Sequence, residues 1–212
     1  IDLLDPSRPD TRALALLAVV LIGSAWLFFG ILEDVVSGDP LVRADTAIYN
    51  ALQDLRTAPG DAVMIAFTEL GDTFVVVAVT FAVLFWFAWR RTWRTAGYWL
   101  LAITGATAIN TAIKLALHRA RPAELFYSGA SAFSFPSGHS TANTVLYGLL
   151  AFLIAIGVRP TWRIPVVFAA TFIALLIAFS RLYLGAHWFS DVTGGLAFGI
   201  AWIAGLAFTY LR

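Results

Sequence analysis

AGYWLLAITGATAINTAIKLAL, residues 96–117, is a run of apolar and small residues in which Lys114 is the only charged side chain. About 20 residues of this kind form a helix long enough to cross the hydrocarbon core of a bilayer. Backbone amides cannot stay unsatisfied in lipid, so such a run indicates a transmembrane helix rather than an open strand. This segment therefore predicts a membrane protein that is built from helices.

Segments of similar length and character occur on both sides of it, and together they predict an all-α bundle of six transmembrane helices. The predicted spans are Ala13–Leu32, Val63–Trp89, Ala96–Leu117, Ser140–Val158, Ile164–Leu184 and Val192–Leu211. No internal repeat divides the chain, so we expect one membrane-embedded domain over residues 1–212. Because residue 1 is Ile rather than Met, we expect the natural chain to begin earlier, with a fused upstream membrane domain as an open alternative.

The composition points to the lipid bilayer as the surroundings of the protein. The chain is 60% hydrophobic and only 13% charged, whereas soluble domains are about 25% charged. Its 17 Phe, 8 Trp and 6 Tyr suit the two lipid–water boundaries. A net charge of +1 argues against nucleic acid as a partner. With no cysteine, disulfides, thiol catalysis and Cys-ligated zinc are excluded.

The basic residues of two loops set the predicted orientation. They are Arg90, Arg91 and Arg94 after the second span, and Arg159 and Arg163 after the fourth, and no acid accompanies them. By the positive-inside rule these loops and both termini lie in the cytoplasm, and we expect the bacterial inner membrane. The connection 33–61 is mostly acidic and is predicted to lie outside. Its middle, Leu41–Leu55, predicts an amphipathic helix, either at the membrane surface or packed on the bundle.

Three short polar segments interrupt this apolar chain, and they hold its only lysine and all three histidines. They read KLALHRARP at Lys114–Pro122, PSGH at Pro136–His139 and SRLYLGAHWFSD at Ser180–Asp191. The orientation derived from the arginines brings all three to the outer face. Ionisable groups beside a bilayer are costly and indicate a functional site. Cations, imidazoles and a carboxylate suit the binding and cleavage of a phosphate ester.

The third segment contains a candidate nucleophile. His187 and Asp191 are four residues apart and share one face of a helix start. A carboxylate that binds one ring nitrogen fixes the tautomer and raises the basicity of the other nitrogen. His187 could then attack phosphorus and form a phosphohistidine. A helix pair that merely satisfies a membrane histidine is the alternative.

The second segment predicts a helix start that binds an anion. Pro136 fits there because a first-turn N–H has no helical partner, and Ser137 and Gly138 would direct free amides at the anion. Gly138 also permits close backbone approach. His139 is the candidate general acid that protonates the leaving oxygen. The alternative is a helix cap beside an interfacial histidine.

The cations Lys114, Arg121 and Arg181 are candidate phosphate ligands. Arginine presents a planar fork to phosphate oxygens and lysine a compact charge, and fixed cations stabilise the charge that develops there. Snorkelling toward headgroups is the alternative, above all for Lys114.

Other polar and aromatic residues near the three segments are not assigned to catalysis or phosphate binding. His118 and Arg119 are assigned no catalytic role. Asp72 and Glu69 are predicted to cap a helix that starts at 72–73, or else to shape the pocket. An aromatic belt, or a guide for a lipid tail, is predicted for Phe126, Tyr127, Trp188 and Phe189.

The three segments together resemble the type 2 phosphatidic acid phosphatase superfamily, whose signature is K-x6-R-P, then P-S-G-H, then S-R-x5-H-x3-D. Every fixed position is matched, by Lys114, Arg121 and Pro122, by Pro136, Ser137, Gly138 and His139, and by Ser180, Arg181, His187 and Asp191. The resemblance implies His187 as nucleophile, Asp191 as its orienting partner and His139 as general acid. The phosphate ligands that it implies are Lys114, Arg121, Ser137, Gly138 and Arg181.

The resemblance also implies an enzyme that needs no metal or other cofactor and acts on a membrane lipid. Phosphatidic acid, phosphatidylglycerol phosphate, undecaprenyl pyrophosphate and lipid A phosphate are the substrates of its membrane members. Soluble relatives include vanadium haloperoxidases, which the membrane composition disfavours.

The sequence leaves three alternative functions open. Two histidines and a carboxylate can form a metal centre, although three nearby cations would repel a divalent ion. A transporter with an anion site at its mouth is another reading, but Asn110 and small hydroxyls alone do not make a continuous polar track. A phosphotransferase could use the same phosphohistidine as a hydrolase.

Overall fold

The computed structural model describes residues 9–38, 40–122 and 129–211. Within these residues the chain is helical and contains no strand, which confirms the predicted all-α class. The α-helices are α1 (Pro9–Ser37), α2 (Pro40–Asp54), α3 (Ala58–Glu69), α4 (Thr73–Trp89), α5 (Trp93–Leu117), α6 (Gly138–Gly157), α7 (Pro160–Tyr183) and α8 (Phe189–Leu211), and a short 3-10 helix covers Gly129–Ala132.

Five segments of the described chain are long and apolar enough to cross a membrane. They are Thr11–Ser37, Ala58–Trp89, Trp93–Leu117, Pro160–Tyr183 and Phe189–Leu211. Each coincides with one of the predicted spans, and α6 occupies the position of the remaining one. Large apolar side chains point outward from these helices, as on Trp26, which is 78% exposed. The protein is therefore a multi-pass membrane protein.

The second predicted span is divided into two helices, α3 and α4, at residues 70–72. The Asp72 carboxylate accepts a hydrogen bond from the Phe74 amide at 2.8 Å and caps α4, so the predicted cap is confirmed. The Asn143 side-chain amide of α6 donates to the Gly71 carbonyl at 3.0 Å. A Cβ atom on Gly71 would clash with the same amide nitrogen. The interruption therefore packs directly against α6.

Helices α6 and α8 approach closely because the first turns of α8 present glycine to α6. A Cβ atom on Gly195 would lie 2.8 Å from the Ser137 carbonyl oxygen and 3.0 Å from Cβ of Ser140. Small residues at a helix interface allow backbones to come together in a membrane. This contact fixes the start of α8 against the segment that precedes α6.

The predicted amphipathic helix is present as α2, and it packs on the bundle. Asp45 on its inner face is 1% exposed. The Gln53 amide donates to the Tyr183 carbonyl at 3.3 Å, and the rings of Tyr49 and Trp188 lie 5.7 Å apart. Helix α2 therefore covers the connection between α7 and α8.

Candidate active site

The three polar segments meet at one end of the bundle, which we call the motif end: the last turns of α5 and α7 and the first turns of α6 and α8. The Ser137 amide donates to the Asp191 carbonyl at 2.9 Å, which joins the second segment to the third. Arg121 Nη1 lies 3.1 Å from His187 Nε2, which joins the first to the third. The expectation that all three segments share one end is confirmed by these contacts.

His187 is held by a tight turn between α7 and α8. Gly185 has φ +70°, in the left-handed region that favours glycine. The amide groups of Ala186 and His187 both donate to the Arg181 carbonyl, at 3.0 and 3.3 Å. The turn therefore ties the imidazole to the end of α7, next to the arginine of the same segment.

The partners of the two ring nitrogens define the tautomer of His187. Nε2 faces Arg121 Nη1, and arginine can only donate, so Nε2 accepts. Nδ1 lies 3.3 Å from Asp191 Oδ2 and therefore carries the proton that is donated to the carboxylate. The lone pair of Nε2 thus faces the cations of the site, which is the arrangement that a nucleophilic histidine needs.

Burial keeps His187 in its neutral form. The residue is 3% exposed. Desolvation lowers the pKa of His187 well below its ordinary value, and the nearby charges of Arg121, Arg181 and Lys114 lower it further. A neutral imidazole retains the lone pair that attack on phosphorus requires.

Asp191 is 0% exposed, and both of its oxygens have partners. Oδ2 accepts from the Trp188 amide at 2.9 Å as well as from His187. Oδ1 accepts from Arg119 Nη1 at 2.6 Å. The carboxylate is therefore held through both oxygens, and its fixed position in turn orients the imidazole of His187.

Arg119, to which the sequence assigned no catalytic role, contacts Asp191 directly and has a second carboxylate partner. Its second guanidinium nitrogen, Nη2, donates to Asp45 Oδ2 at 2.7 Å. Two signals could have found the pair. Arg119 and Arg121 alternate in a non-helical stretch, so both can face one side. Asp45 interrupts the apolar stripe of α2, between Leu41 and Ile48, where a charge needs a buried partner.

The three predicted phosphate cations are fixed by neighbouring groups. Lys114 Nζ donates to the carbonyls of Phe133 and Ser134. Arg121 donates to the carbonyls of Ser131, at 2.7 Å through Nη2, and Ala186, at 2.6 Å. At 6% exposure, Lys114 is not positioned for snorkelling. Preorganised cations of this kind need little rearrangement to stabilise charge on a phosphate.

The third cation, Arg181, donates to Thr68 Oγ1 of α3 at 3.0 Å. Helix α3 therefore borders the site as well. It does so next to the interruption before α4. The sequence predicted the helix start at 72–73 but not this contact with Arg181.

The PSGH segment forms the start of α6, with one correction. Ser137 is the N-cap, whose Oγ accepts from the Ser140 amide at 3.3 Å, so Pro136 lies before the helix rather than in its first turn. The Ser137 amide is already bonded to the Asp191 carbonyl and is not free for an anion as predicted. The amide groups of Gly138 and His139 come first in the helix and have no intrahelical acceptor.

Glycine at position 138 leaves open space beside those amides. A Cβ atom there would meet only Asn110 Oδ1, at 3.8 Å. Among the residues that the structure describes, no atom therefore requires a glycine here, whereas the approach of an anion to the backbone would. This supports Gly138 as part of an anion site.

The remaining predicted residues lie around the site rather than in it. His118 is exposed and packs edge-on against Phe133, with ring centroids 4.4 Å apart. The Trp188 indole donates to the Ala120 carbonyl at 2.9 Å, which gives this aromatic residue a local structural role. Phe126 and Tyr127 lie outside the described residues. Within the described ranges, no group of three His, Cys, Asp or Glu side chains could hold a metal ion.

Comparison with known proteins places this fold and site in a family. Residues 95–211 match the model of the PAP2 superfamily. Phosphatidylglycerophosphatase B of Bacillus subtilis is 32% identical over 181 residues, which cover 84% of this chain and 88% of that protein. A lipid A 1-phosphatase of Rhizobium johnstonii is 29% identical over 171 residues, covering 72% and 64%.

A solved structure has the same architecture. The crystal structure of a transmembrane PAP2-type phosphatidylglycerolphosphate phosphatase from Bacillus subtilis superposes with a TM-score of 0.74 at 29% identity. The match covers 87% of this chain and 94% of that one. The chain therefore belongs to the PAP2 superfamily. It is a phosphatase, a hydrolase of phosphoric ester bonds.

Proposed function

We propose that the protein hydrolyses a phosphomonoester or pyrophosphate on a membrane lipid through a phosphohistidine on His187. One observation carries this proposal. Nε2 of a buried, neutral imidazole faces Arg121, with Arg181 and Lys114 close enough to act on its protonation. That arrangement attracts an anionic phosphate and offers it a nucleophile.

The proposed first step transfers the phosphoryl group to the enzyme. The Nε2 lone pair of His187 forms a bond to phosphorus while the bond from phosphorus to the leaving oxygen breaks. His139, in its protonated form, gives its proton to that oxygen. Asp191 holds the Nδ1 proton of His187 and stabilises the positive charge that the ring acquires.

The second step hydrolyses the phosphohistidine. His139, now neutral, takes a proton from water while the water oxygen attacks phosphorus and the N–P bond breaks. Inorganic phosphate leaves, and both imidazoles return to their starting states. Lys114, Arg121, Arg181 and the amide of Gly138 are the proposed ligands of the phosphoryl oxygens, and the hydroxyl of Ser137 can add a further bond.

A lipid substrate is supported by an apolar groove and by the relatives. A cavity of about 570 Å³ lies between α1, α5 and α8 and is lined by apolar side chains that include Phe28, Ile109 and Ile113. Ile113 directly precedes Lys114, so an acyl chain in this groove would place its headgroup near the site. The Bacillus subtilis relative suggests phosphatidylglycerol phosphate as the first substrate to test.

For the membrane we propose six spans, with α3 and α4 together forming one of them and both termini in the cytoplasm. The loop arginines support this orientation. The motif end would then face the periplasm of a bacterial inner membrane. The proposed partners are the bilayer and its lipid substrate, with no cofactor and no metal in the site.

Phosphate release by the purified protein tests the proposed function. The panel contains phosphatidylglycerol phosphate, phosphatidic acid, lipid A phosphate and undecaprenyl pyrophosphate, in detergent micelles with excess chelator. We expect His187→Ala to abolish release, whereas the matched control His118→Ala retains it. Phosphate release by His187→Ala at the rate of the control would refute the nucleophile, and loss of activity in chelator would indicate a metal.

A further inference from the structure

A continuous chain of charges runs from the surface helix α2 to the proposed nucleophile. Asp45 Oδ2 accepts from Arg119 Nη2 at 2.7 Å, and Arg119 Nη1 donates to Asp191 Oδ1 at 2.6 Å. Asp191 Oδ2 in turn lies 3.3 Å from His187 Nδ1. The order is therefore carboxylate, guanidinium, carboxylate and imidazole.

The side chains that form this chain of charges are largely buried. The side chains of Asp45 and Asp191 are 1% and 0% exposed, and that of Arg119 is 13% exposed. Ser190 adds two bonds to Asp45, from its amide to Oδ1 at 2.8 Å and from its hydroxyl to Oδ2. Little solvent screens the charges, so each one acts strongly on its neighbours.

The ion pair between Asp45 and Arg119 joins two regions that are far apart in sequence. Asp45 lies on α2, and Arg119 lies between the lysine and arginine of the first polar segment. Tyr49 of α2 packs on Trp188, and the Arg119 guanidinium lies 5.9 Å from the Trp188 ring. The guanidinium is thus enclosed between α2 and the turn that joins α7 to α8.

We propose that Asp45 is a positioning residue, which neutralises Arg119 so that Arg119 can hold Asp191 without weakening its effect on His187. The proposal rests on the proposed role of His187 as nucleophile. The imidazole gains positive charge when Nε2 attacks phosphorus, and Asp191 stabilises that charge. An uncompensated Arg119 would oppose it, because two cations would then act on one carboxylate.

The pH dependence of kcat/KM separates this electrostatic role from mere packing. Its acid limb reports protonation of the base in the free enzyme. The groups that face His187 are Asp191 from α8, Arg121 and Lys114 from the first segment, Arg181 from α7 and His139 from α6. All of these groups remain in the variants described below. A shift of the acid limb would therefore arise from the changed charge at Asp45 or Arg119.

The acid limb of the kcat/KM profile should shift in opposite directions in the variants Asp45→Asn and Arg119→Gln. Asp45→Asn removes a negative charge, so the imidazolium is harder to form and the acid limb moves to lower pH. Arg119→Gln removes a positive charge, so the limb moves to higher pH. Each shift should be on the order of one pH unit. For Asp45→Asn we also expect a loss of about tenfold in kcat, because the charge on His187 is less well stabilised.

Two matched variants complete the experiment, which uses phosphatidic acid in detergent micelles. Asp54→Asn removes an exposed carboxylate from the same helix and should leave kcat and the acid limb unchanged. Asp45→Glu keeps the charge and should keep the acid limb near that of the unaltered protein. Thermal unfolding shows which variants fold, and if Asp45→Asn does not, the shift of Arg119→Gln decides alone.

The proposal is overturned if Asp45→Asn and Arg119→Gln lower activity but leave the acid limb in place, since α2 would then act only as a packing element. Shifts in the same direction would overturn it equally. Full activity of His187→Ala is a different outcome. That result would remove the nucleophile, and with it the proposed function.

Discussion

At the scale of single residues, the site consists of charged side chains that are removed from water and hold one another in place. Asp191 accepts bonds from Arg119, the Trp188 amide and His187 at once. A buried charge of this kind is tolerated only when it is paired and hydrogen-bonded. The same contacts leave Nε2 of His187 with its lone pair directed at the cations. Pairing within the protein thus orients the nitrogen that we propose as the nucleophile.

Substrates with different leaving groups distinguish the two imidazoles. His139→Ala should lower kcat on lipid phosphates by about 10²- to 10⁴-fold, the usual contribution of a general acid. The aryloxide released from an aryl phosphate is a good leaving group that departs without a proton from the enzyme, so the loss on that substrate should be far smaller. His187→Ala should be inactive on both.

Steady-state kinetics on phosphatidic acid and on an aryl phosphate measure this difference, with His118→Ala as the unaffected reference. Equal losses for His139→Ala on both substrates would contradict its role as the acid.

At the scale of secondary-structure elements, close contact between α6 and α8 sets the position of the PSGH segment. The bond from the Ser137 amide to the Asp191 carbonyl exists because Gly195 lets the two helices touch. A side chain there would have to push against backbone, which cannot swing aside as a flexible side chain can. The glycine of one helix thereby aligns the start of another, where the anion site is proposed.

Gly195→Ala should disturb the site without touching it. The added Cβ would lie 2.8 Å from the Ser137 carbonyl oxygen, and we expect a loss of about 1–3 kcal/mol in the free energy of unfolding. Displacement of the Ser137 segment should lower kcat as well, by up to about 100-fold for a shift near 1 Å.

Gly97→Ala is the matched control for this prediction, because a Cβ atom on that exposed α5 glycine has nothing within 4 Å. It should be neutral or stabilise the protein by up to about 1 kcal/mol. Thermal unfolding in detergent and phosphate release measure both variants. Equal behaviour of the two alanine variants would show that the α6–α8 contact tolerates a methyl group.

At the scale of the whole molecule, the bundle has two chemically different ends. The motif end holds the polar segments and α2. Arg94 marks the other end, where it donates to the Tyr210 carbonyl at 2.9 Å and packs on the Tyr210 ring. Because the chain has no cysteine, single introduced cysteines can report which end faces which side of the membrane.

Labelling of intact cells with a membrane-impermeant maleimide tests the proposed orientation. Asp54→Cys lies at the motif end and Arg159→Cys at the other, and both positions are exposed. We expect Asp54→Cys to react in intact cells and Arg159→Cys only after the membrane is permeabilised. The reverse pattern would place the site in the cytoplasm.

Much of the bundle could be predicted from the sequence because lipid imposes simple rules on length and polarity. The lengths of the apolar spans and the spacing within each polar segment are local properties, and five of the predicted spans coincide with segments long and apolar enough to cross a membrane. Asp72 predicted the helix start within the second span, but the contact at Gly71 was not predicted, because it comes from Asn143 of a distant helix. The occupied amide of Ser137 was missed for the same reason, since its acceptor is the Asp191 carbonyl of α8.

Sequence alone was enough to predict a helical membrane protein in which one lysine, two of the three histidines and selected arginines form a phosphate site. The length of the apolar runs and the spacing of the motifs suffice for that prediction, because neither depends on which residues are in contact in the folded protein. Which charges meet depends on how the helices pack. Asp45 is an ordinary acid in an amphipathic helix until folding buries it against Arg119. Only the packing of α2 on the α7–α8 turn brings the two together, and electrostatic pairing depends on distance in space, not on distance along the chain.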